Sequence, residues 1–293
     1  MKYQRLALIG CGLMGGSFAL ALRQAGLVDH VMGFSASEGT RTKALKLGVI
    51  DSACGSAAEA VQGADLVLVA VPVRATEATL RAIDPALSPT ALVMDVGSTK
   101  GDVVAAARVA MPMRLANFVP AHPIAGKEVA GIEHADAGLY QDRQLILTPL
   151  PENPAERVLQ AAQVWQALGS RVLELSPEAH DASFAAVSHL PHLTAFALVN
   201  AVARQPHGAQ HLSMAGPGFR DFSRIAASDP NVWRDILLAN RDEVLHQSAL
   251  MREALHEFEQ AMRAGDAERL QALVDEASQT RSRWRLGGAD SDV

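Results

Sequence analysis

Apolar runs and amphipathic segments alternate along residues 1–175, in the order typical of a parallel sheet covered by helices. Helical spacing fills most of the intervals between the runs, beginning with residues 13–24 and ending with residues 156–168. The apolar runs predict strands over residues 5–9, 30–34, 65–72, 91–98, 114–123, 143–150 and 171–175. We therefore predict a doubly wound α/β domain over residues 1–175.

The pattern changes at Ser176, after which strand-like runs disappear and apolar positions recur at helical spacing. One long helix is predicted over residues 229–262, and a final helix is predicted to begin with Asp266 as its N-terminal cap. We predict an all-α domain over residues 176–285 and a frayed tail over residues 286–293. Because a helical half of this kind commonly buries its apolar stripes against a second copy, a homodimer through these helices is expected.

A glycine-rich turn joins the first predicted strand to the first predicted helix in the stretch "RLALIGCGLMGGS". Its glycines fit the G-x-G-x-x-G pattern in the position that a dinucleotide site requires, after a strand and at the start of a helix. Side chains at Gly10 or Gly12 would keep a pyrophosphate from the amides at the positive end of the helix. A turn without a ligand is the alternative, but this context favours a Rossmann-type dinucleotide site. The expected cofactor contacts here are Gly10, Gly12, Leu13, Met14, Gly15, Val71 and Pro72.

The end of the second predicted strand bears on the choice of cofactor. NAD-binding folds usually carry an Asp or Glu there, about 20 residues past the glycines, to hold the ribose 2′-hydroxyl. Ser35 stands at that position, and Ser37 and Arg41 follow it. Hydroxyls and a guanidinium suit a 2′-phosphate, whereas a carboxylate would repel it. We predict NADP in preference to NAD, with NAD still possible; alternatively, Thr40 and Arg41 only begin a solvated helix.

Composition excludes several other classes of protein. Of 293 residues, 49% are hydrophobic and 20% charged, an ordinary globular balance. The net charge of -6, the lack of long basic runs and an aromatic content of 4% argue against nucleic-acid binding. Cys11 and Cys54 have no metal-binding spacing and suit a reducing cytoplasm. The uncharged run that ends at Leu22 is glycine-rich and too short to span a membrane, so we expect a cytoplasmic protein. Because the cysteines lack a metal-binding spacing, we also expect no bound metal.

Five segments occur in order along the chain: "LIGCGLMGGS", "DVGSTK", "AHPIAGKEVAG", "SHLPHLTAFAL" and "FRDFSRIAASDPNVWRDI". Together they resemble the prephenate dehydrogenase family, whose relatives also use arogenate. The resemblance implies a nucleotide-binding domain followed by a helical dimerisation domain. It also implies oxidation of a cyclohexadiene carbinol, with hydride transfer to a nicotinamide and loss of the ring carboxylate as carbon dioxide, in tyrosine biosynthesis. We expect no fused chorismate mutase or regulatory module.

The resemblance also assigns roles to three polar residues. His122 is the residue expected to hydrogen-bond the substrate hydroxyl and accept its proton. Ser98 is expected to set His122 and that hydroxyl beside the nicotinamide, and it could also cap the following helix. Arg224 is expected to bind a substrate carboxylate, although from its neighbours alone a surface ion pair would be the more ordinary role. Lys100 is predicted to be a solvated residue in a first helical turn.

The stretch "VSHLPHLTAF" places two histidines three residues apart around a proline. They could bind zinc only with further ligands, and no cluster of Cys and His supplies them. The proline predicts a kinked or newly started helix. By resemblance, His192 lines the substrate pocket and Ser188 and His189 lie near the nicotinamide, while His189 could equally be a core residue. Trp233 is predicted to be structural.

Two other functions stay open from the sequence. One is another two-domain reductase of the β-hydroxyacid dehydrogenase or imine reductase kind, which would need a catalytic lysine or aspartate where this chain has "SHLPH". The other is a sensor that binds NADP without turnover. Within the resembled family, no residue clearly distinguishes the keto acid side chain of prephenate from the amino acid side chain of arogenate.

Overall fold

Residues 2–126 and 129–285 are described in a computed structural model, and the predicted tail over residues 286–293 lies outside them. The strands are β1 Tyr3–Ile9, β2 Val28–Phe34, β3 Ser52–Ala53, β4 Leu66–Val69, β5 Leu92–Asp95, β6 Phe118–Val119, β7 Ala121–Pro123, β8 Gln144–Leu147 and β9 Arg171–Glu174. The first six helices are α1 Leu13–Gln24, α2 Glu38–Lys46, α3 Ala57–Val61, α4 Thr76–Ile83, α5 Gly101–Ala110 and α6 Ala155–Ala167. The others are α7 Pro177–Phe184, α8 Leu190–Ala203, α9 Gly208–Ser213, α10 Pro217–Ser223, α11 Pro230–Ala239, α12 Arg241–Ala264 and α13 Ala267–Arg283.

The main sheet of the described residues is parallel, with the strand order β3-β2-β1-β4-β5-β6. The chain leaves β1 toward one edge and returns at β4 to build the other half. The crevice for a ligand therefore lies beyond the carboxyl ends of β1 and β4, where the strand order reverses. This topology confirms the predicted Rossmann-type fold.

Both faces of the main sheet are covered, which is why β4 is apolar throughout and β5 is apolar up to Asp95. On one face, Phe18 of α1 packs against Trp165 of α6 with their ring centroids 4.9 Å apart, and Tyr140 lies edge-on to Trp165. Residues of α3, α4 and α5 form the apolar cluster on the other face. These two apolar clusters, one on each face of the sheet, hold the ends of its strands in place.

The run over residues 114–123, predicted as one strand, forms two strands in two different sheets. β6 pairs in parallel with β5, whereas β7 pairs antiparallel with β8 in a second sheet of the order β7-β8-β9. Pro120 lies between them, and its carbonyl accepts a hydrogen bond from the Thr148 amide at 3.0 Å. The prediction of a single strand was wrong, because an apolar run does not reveal its pairing partner. The second sheet carries His122 on β7.

Helices α7 and α8 are joined by a π-helical turn, Ala185–His189. Pro191 has no amide hydrogen to donate, so the widened turn stands where the proline interrupts the α-helical hydrogen bonds. The predicted kink is thus confirmed. By length and composition alone, the helical run over residues 177–203 could cross a membrane. Its first part carries the buried charged residue Asp181, whose carboxylate accepts the Lys100 amide at the start of α5.

The helix predicted over residues 229–262 ends and restarts at Asn240, so one long helix was wrong. α11 starts as predicted, with the Asp229 carboxylate accepting from the amides of Asn231 and Val232. Asn240 is buried, and its side chain donates to the Asp181 carbonyl at 2.8 Å. A tertiary hydrogen bond therefore marks the break.

The chain separates into two compact units, the first ending at Arg241 and the second beginning at Asp242. In the second unit, α13 begins as predicted, because Asp266 accepts a hydrogen bond from the Arg269 amide at 2.9 Å. The change from strands to helices lies between β9 and α7, next to the boundary that the sequence suggested. That division into domains at residue 175 stays a prediction.

Candidate active site

The turn between β1 and α1 is shaped by its glycines in three different ways. Gly10 has a φ of +104°, and a Cβ there would lie 2.1 Å from the carbonyl oxygen of Ala70. A Cβ at Gly15 would lie 2.2 Å from the Gly10 oxygen, so close packing of α1 on β1 needs a glycine. At Gly12, a Cβ would meet no atom within 4 Å. Of the two positions expected to make room for a ligand, Gly12 does so, whereas Gly10 makes room for the protein backbone.

Two cavities flank this turn. The β2-side cavity has a volume of about 690 Å³, and its lining includes Gly10, Gly12, Ser35, Ser37, Val71 and Pro72. The α11-side cavity also measures about 690 Å³, and its lining includes Gly12, Leu13, Met14, Val71, Pro72, Ser98 and Trp233. No side chain caps the start of α1 at Gly12. Together, the open space at Gly12, the uncapped helix start and the two cavities fit a dinucleotide lying across the switch point.

The loop after β2 carries the residues expected at the ribose. Ser37 accepts a hydrogen bond from the Thr40 amide at 3.3 Å and so caps α2. Arg41 donates to the Ser35 carbonyl, and its guanidinium lies 5.7 Å from the centroid of the Phe34 ring. Arg41 is therefore held against the end of β2 as well as being part of α2.

Charged groups of opposite sign meet on the rim of the β2-side cavity. Lys43 and the carboxylate of Glu133 both line it, and they form an ion pair at 3.1 Å. Glu133 therefore has a cation beside it on the rim of this cavity.

A buried ion pair fixes the start of β7 to the end of β5. The Lys100 side chain is 0% exposed, and its Nζ lies 2.5 Å from Oδ2 of Asp95 and 2.7 Å from the carbonyl oxygen of Ala121. The other oxygen of Asp95 accepts the Ala121 amide at 2.9 Å. The prediction of a solvated Lys100 was wrong, because the residue before α5 turns into the protein. His122, the next residue along β7, is thereby held at the carboxyl edge of the main sheet.

The catalytic candidate His122 lies at one end of a hydrogen-bonded row of three side chains. Its Nδ1 is 2.8 Å from Nε2 of His180, and Nδ1 of His180 is 2.7 Å from Oδ1 of Asp181. His180 is 0% exposed, whereas His122 is partly exposed. Burial, reinforced by any positive charge on His180 and by Lys100, holds the pKa of His122 well below its ordinary value. The ring is therefore neutral at pH 7.

Asp181 also caps the N-terminus of α5. Its two carboxylate oxygens accept the amides of Lys100 and Gly101, each at 2.8 Å. Burial raises the pKa of Asp181, but the hydrogen bonds from His180 and these amides outweigh it and leave the pKa below the ordinary value. Ser98 does not cap this helix, an alternative that the sequence left open: α5 begins after Lys100, and the capping carboxylate is Asp181 of α7. Ser98 instead lines the α11-side cavity.

His192 stacks on Trp233, with ring centroids 3.5 Å apart and 19° between the planes. Because Trp233 lines the α11-side cavity, the two stacked rings bring α8 to the side of that cavity. Nδ1 of His192 lies 2.9 Å from the Ser188 carbonyl oxygen, which can only accept. Nδ1 therefore carries the proton of the neutral ring, and Nε2 carries none. Burial lowers the pKa of His192.

His189 faces the interior. It is 1% exposed, and its Nδ1 lies 3.1 Å from the Asn240 side-chain amide. Burial lowers the pKa of His189 to about 4. These features match the core role that the sequence left open for it.

Arg224 is not among the lining residues of either cavity. It is exposed and begins a short 3₁₀ helix, Arg224–Ala227, that packs against α8. The structure therefore places Ser98 in the lining of the α11-side cavity, whereas His122, His192 and Arg224 are outside both linings. Among the described residues, no group of three or more His, Cys, Asp or Glu side chains could hold a metal.

Sequence reasoning missed His180 and Asp181. The available signal was a His-Asp pair in "SPEAHDASF", on the first helix after the last strand, where apolar residues would normally face the sheet. It also missed Lys100, for which the local sequence gives no signal, since a lysine before a helix is ordinarily solvated.

Comparison with known proteins gives consistent matches. The family model for the prephenate dehydrogenase nucleotide-binding domain matches residues 18–174, and that for the prephenate dehydrogenase dimerization domain matches residues 176–276. A prephenate dehydrogenase of Bacillus subtilis is 37% identical over 82% of this chain and 65% of its own length, so this chain spans about two-thirds of that relative. A cyclohexadienyl dehydrogenase of Zymomonas mobilis is 36% identical over 83% of each chain.

Solved structures extend these matches to the fold. Prephenate dehydrogenase from Aquifex aeolicus, in complex with hydroxyphenyl propionate and NAD+, has a TM-score of 0.90 and 34% identity, covering 96% of this chain and 98% of that one. Arogenate dehydrogenase from Synechocystis has a TM-score of 0.83 and 27% identity, covering 96% and 100%. A Mycobacterium tuberculosis 3-hydroxyisobutyrate dehydrogenase, at 16% identity and a TM-score of 0.51, shares the fold alone. This chain therefore belongs to the prephenate dehydrogenase family.

Proposed function

We propose that this chain oxidatively decarboxylates prephenate or arogenate with a nicotinamide cofactor, in tyrosine biosynthesis in the cytoplasm. The observation that carries the proposal is His122, a neutral histidine fixed at the carboxyl edge of the dinucleotide-binding sheet. Ser98, from the loop after the neighbouring strand β5, lines the cavity on the same edge. A base at this edge of the sheet and a hydroxyl in the cavity suit the oxidation of a carbinol.

The chemistry needs a base that first takes a proton and then returns it. A bound nicotinamide supplies the acceptor for the hydride that leaves the ring carbinol. His122 takes the hydroxyl proton on Nε2 as the C–H bond breaks. Breakage of the bond to the ring carboxylate then releases carbon dioxide, and its electron pair makes the ring aromatic. The proton on His122 returns to the phenolic oxygen, so the base ends in its starting state.

Two further residues are proposed to hold the substrate. With Nδ1 of His192 donating to the Ser188 carbonyl, its unprotonated Nε2 is proposed to accept a hydrogen bond from a substrate donor, while Trp233 fixes the ring by stacking. Arg224 is proposed to clamp a substrate carboxylate through its guanidinium. Its position beside α8 supports this role, because α8 also carries His192.

Arg224→Ala is expected to raise the KM for the cyclohexadienyl substrate about 10- to 100-fold, as loss of a charge-assisted hydrogen bond does, with a smaller change in kcat. Steady-state kinetics at saturating cofactor measures both constants. Arg220→Ala is the matched control, because Arg220 is an exposed arginine paired with its neighbour Asp221. An unchanged KM in the Arg224 variant would return this arginine to a surface role.

The cofactor is proposed to be NADP in preference to NAD. The hydroxyls of Ser35 and Ser37 line the β2-side cavity, and Arg41 lies against the end of β2. The carboxylate on the rim, Glu133, is paired with Lys43 and so repels a phosphate less than a free one would. Each of these features favours a 2′-phosphate on the ribose.

Arg41→Ala is expected to lower kcat/KM for NADP about 10- to 100-fold while changing the value for NAD little, since only NADP carries the phosphate that the guanidinium would bind. Rates with the two cofactors under identical conditions measure the ratio. The exposed Arg81, ion-paired along α4, supplies the control Arg81→Ala. Equal losses with both cofactors would contradict a phosphate contact.

A homodimer through the helical domain is also proposed. α8 is composed mainly of apolar residues, yet Ala195 is its one buried residue within the described part of a single chain. An apolar helix left this open ordinarily packs against another surface. The match to a dimerization domain supports a second copy in that place. Sedimentation at assay concentrations tests the stoichiometry.

The experiment that tests the proposed function is a comparison of four rates: prephenate and arogenate, each with NAD and with NADP, followed by the absorbance of the reduced nicotinamide. Turnover in any of the four establishes the activity, and the fastest pair gives the substrate and cofactor. No turnover in any of them, with NADP still bound in a titration, would favour the sensor instead.

A further inference from the structure

We propose that His180 and Asp181 are positioning residues that keep the proton of neutral His122 on Nδ1 and thereby leave Nε2 as the base. This row of three side chains, His122, His180 and Asp181, is called the relay below. The proposal rests on the proposed function, in which His122 accepts the substrate proton. It assigns a task in that reaction to a helix, α7, that makes no other contribution to the chemistry.

The direction of the relay is set at Asp181. Its carboxylate accepts the amides of Lys100 and Gly101, both at 2.8 Å, and these hydrogen bonds favour the ionised form. An ionised carboxylate can only accept. The 2.7 Å contact with His180 therefore has Nδ1–H of His180 as its donor.

The same reasoning carries the direction from His180 to His122. Burial lowers the pKa of His180 more than its hydrogen bond to Asp181 raises it, so His180 is neutral at pH 7. With its one proton on Nδ1, neutral His180 has a lone pair on Nε2. The 2.8 Å contact then requires His122 to donate through Nδ1–H, which leaves the lone pair of His122 on Nε2.

The relay is also held in place by packing. The ring of Phe184, one turn along α7, stacks on His180 with centroids 4.5 Å apart and 27° between planes. The same Phe184 ring lies 4.9 Å from the ring of His122. Phe184 therefore packs against both histidine rings and limits their rotation.

The relay stabilises His122 when it takes the substrate proton. The imidazolium then donates Nδ1–H to His180, which in turn donates to the Asp181 carboxylate. The other charged or titratable groups facing His122 are Lys100 at the start of α5 and His189 in the π-helical turn, and both oppose a positive charge. Without the relay, burial and Lys100 would make His122 a weaker base.

The test is His180→Phe, which keeps an aromatic ring to stack on Phe184 and removes both nitrogen atoms. We expect kcat to fall about 100-fold, within the range of acid–base effects, with the substrate KM changed less than about threefold. The acid limb of the pH profile of kcat/KM should move to lower pH, because protonated His122 has lost its acceptor and its pKa falls. His180→Gln should recover part of kcat, since its amide oxygen can accept from His122.

A structural role alone predicts a different outcome. It would lower the melting temperature and kcat together, leave the acid limb in place and give no recovery with glutamine; that pattern, or an unchanged kcat in His180→Phe, would overturn the proposal. If the variants fail to fold, nitrogen-15 NMR of the unsubstituted protein decides: we expect the proton of His122 on Nδ1, and a proton on Nε2 would overturn the relay. Failure of the proposed function is distinguishable, because the unsubstituted protein would then turn over neither prephenate nor arogenate.

Discussion

His122→Asn is expected to lower kcat by about 10³-fold, within the range of 10²- to 10⁴-fold that general base catalysis contributes. Asparagine places its amide near the position of Nδ1, so it can still donate to His180, but it has no atom at the position of Nε2. The base is thus removed while the surrounding hydrogen bonds are kept. Steady-state kinetics at saturating substrate measures kcat, and a cofactor titration should give an unchanged Kd.

The matched control for this variant is His30→Asn. His30 is partly exposed near the start of β2, away from the carboxyl ends of the strands, and it hydrogen-bonds the Ser52 hydroxyl at 3.0 Å. It should keep kcat within about twofold. If His122→Asn also kept near-normal turnover, His122 would have no part in the proton transfer.

Lys100→Met is expected to lower the free energy of unfolding by about 3–5 kcal/mol, because it leaves the buried Asp95 carboxylate without its cation. Methionine matches the length of the lysine stem, so little volume is lost. Urea denaturation followed by circular dichroism measures the change. Activity should fall too, since Lys100 also holds the Ala121 carbonyl next to His122.

The exposed pair of Lys2 with Asp29 supplies the control for the buried pair. Both of its side chains are more than half exposed, so Lys2→Met should cost less than about 1 kcal/mol. The double variant Asp95→Asn with Lys100→Met should recover part of the loss, because a neutral amide costs less to bury than an unpaired carboxylate. A loss below about 1 kcal/mol in Lys100→Met would contradict the burial of this ion pair.

The sequence predicted best where structure is decided locally. α1 spans the predicted residues, because a strand, three glycines and an amphipathic run specify a turn and a helix among themselves. The helix start at Asp229 and the cap at Asp266 were found for the same reason, since each aspartate accepts from amides two or three residues along the chain.

The sequence predicted poorly where a distant partner decides. Asn240 breaks the long helix because its side chain bonds to Asp181, some sixty residues earlier. Lys100 is buried because Asp95 and Ala121 receive it, and hydropathy reports only its charge. The candidate site shows the same limit. The motif containing His122 was visible, but its hydrogen-bonding partner His180 lies in the other predicted domain, the helical one.

The π-helical turn Ala185–His189 also fixes the angular setting of two parts of one helical run. A π turn accommodates one residue more than an α turn, and each residue of an α-helix rotates by about 100°. Deleting one residue here would let α7 and α8 join as a regular helix, but would turn His192 by roughly that angle relative to His180. The relay and the Trp233 stack could not then form together. Small insertions or deletions in this segment should therefore reduce catalysis more than they reduce helix content.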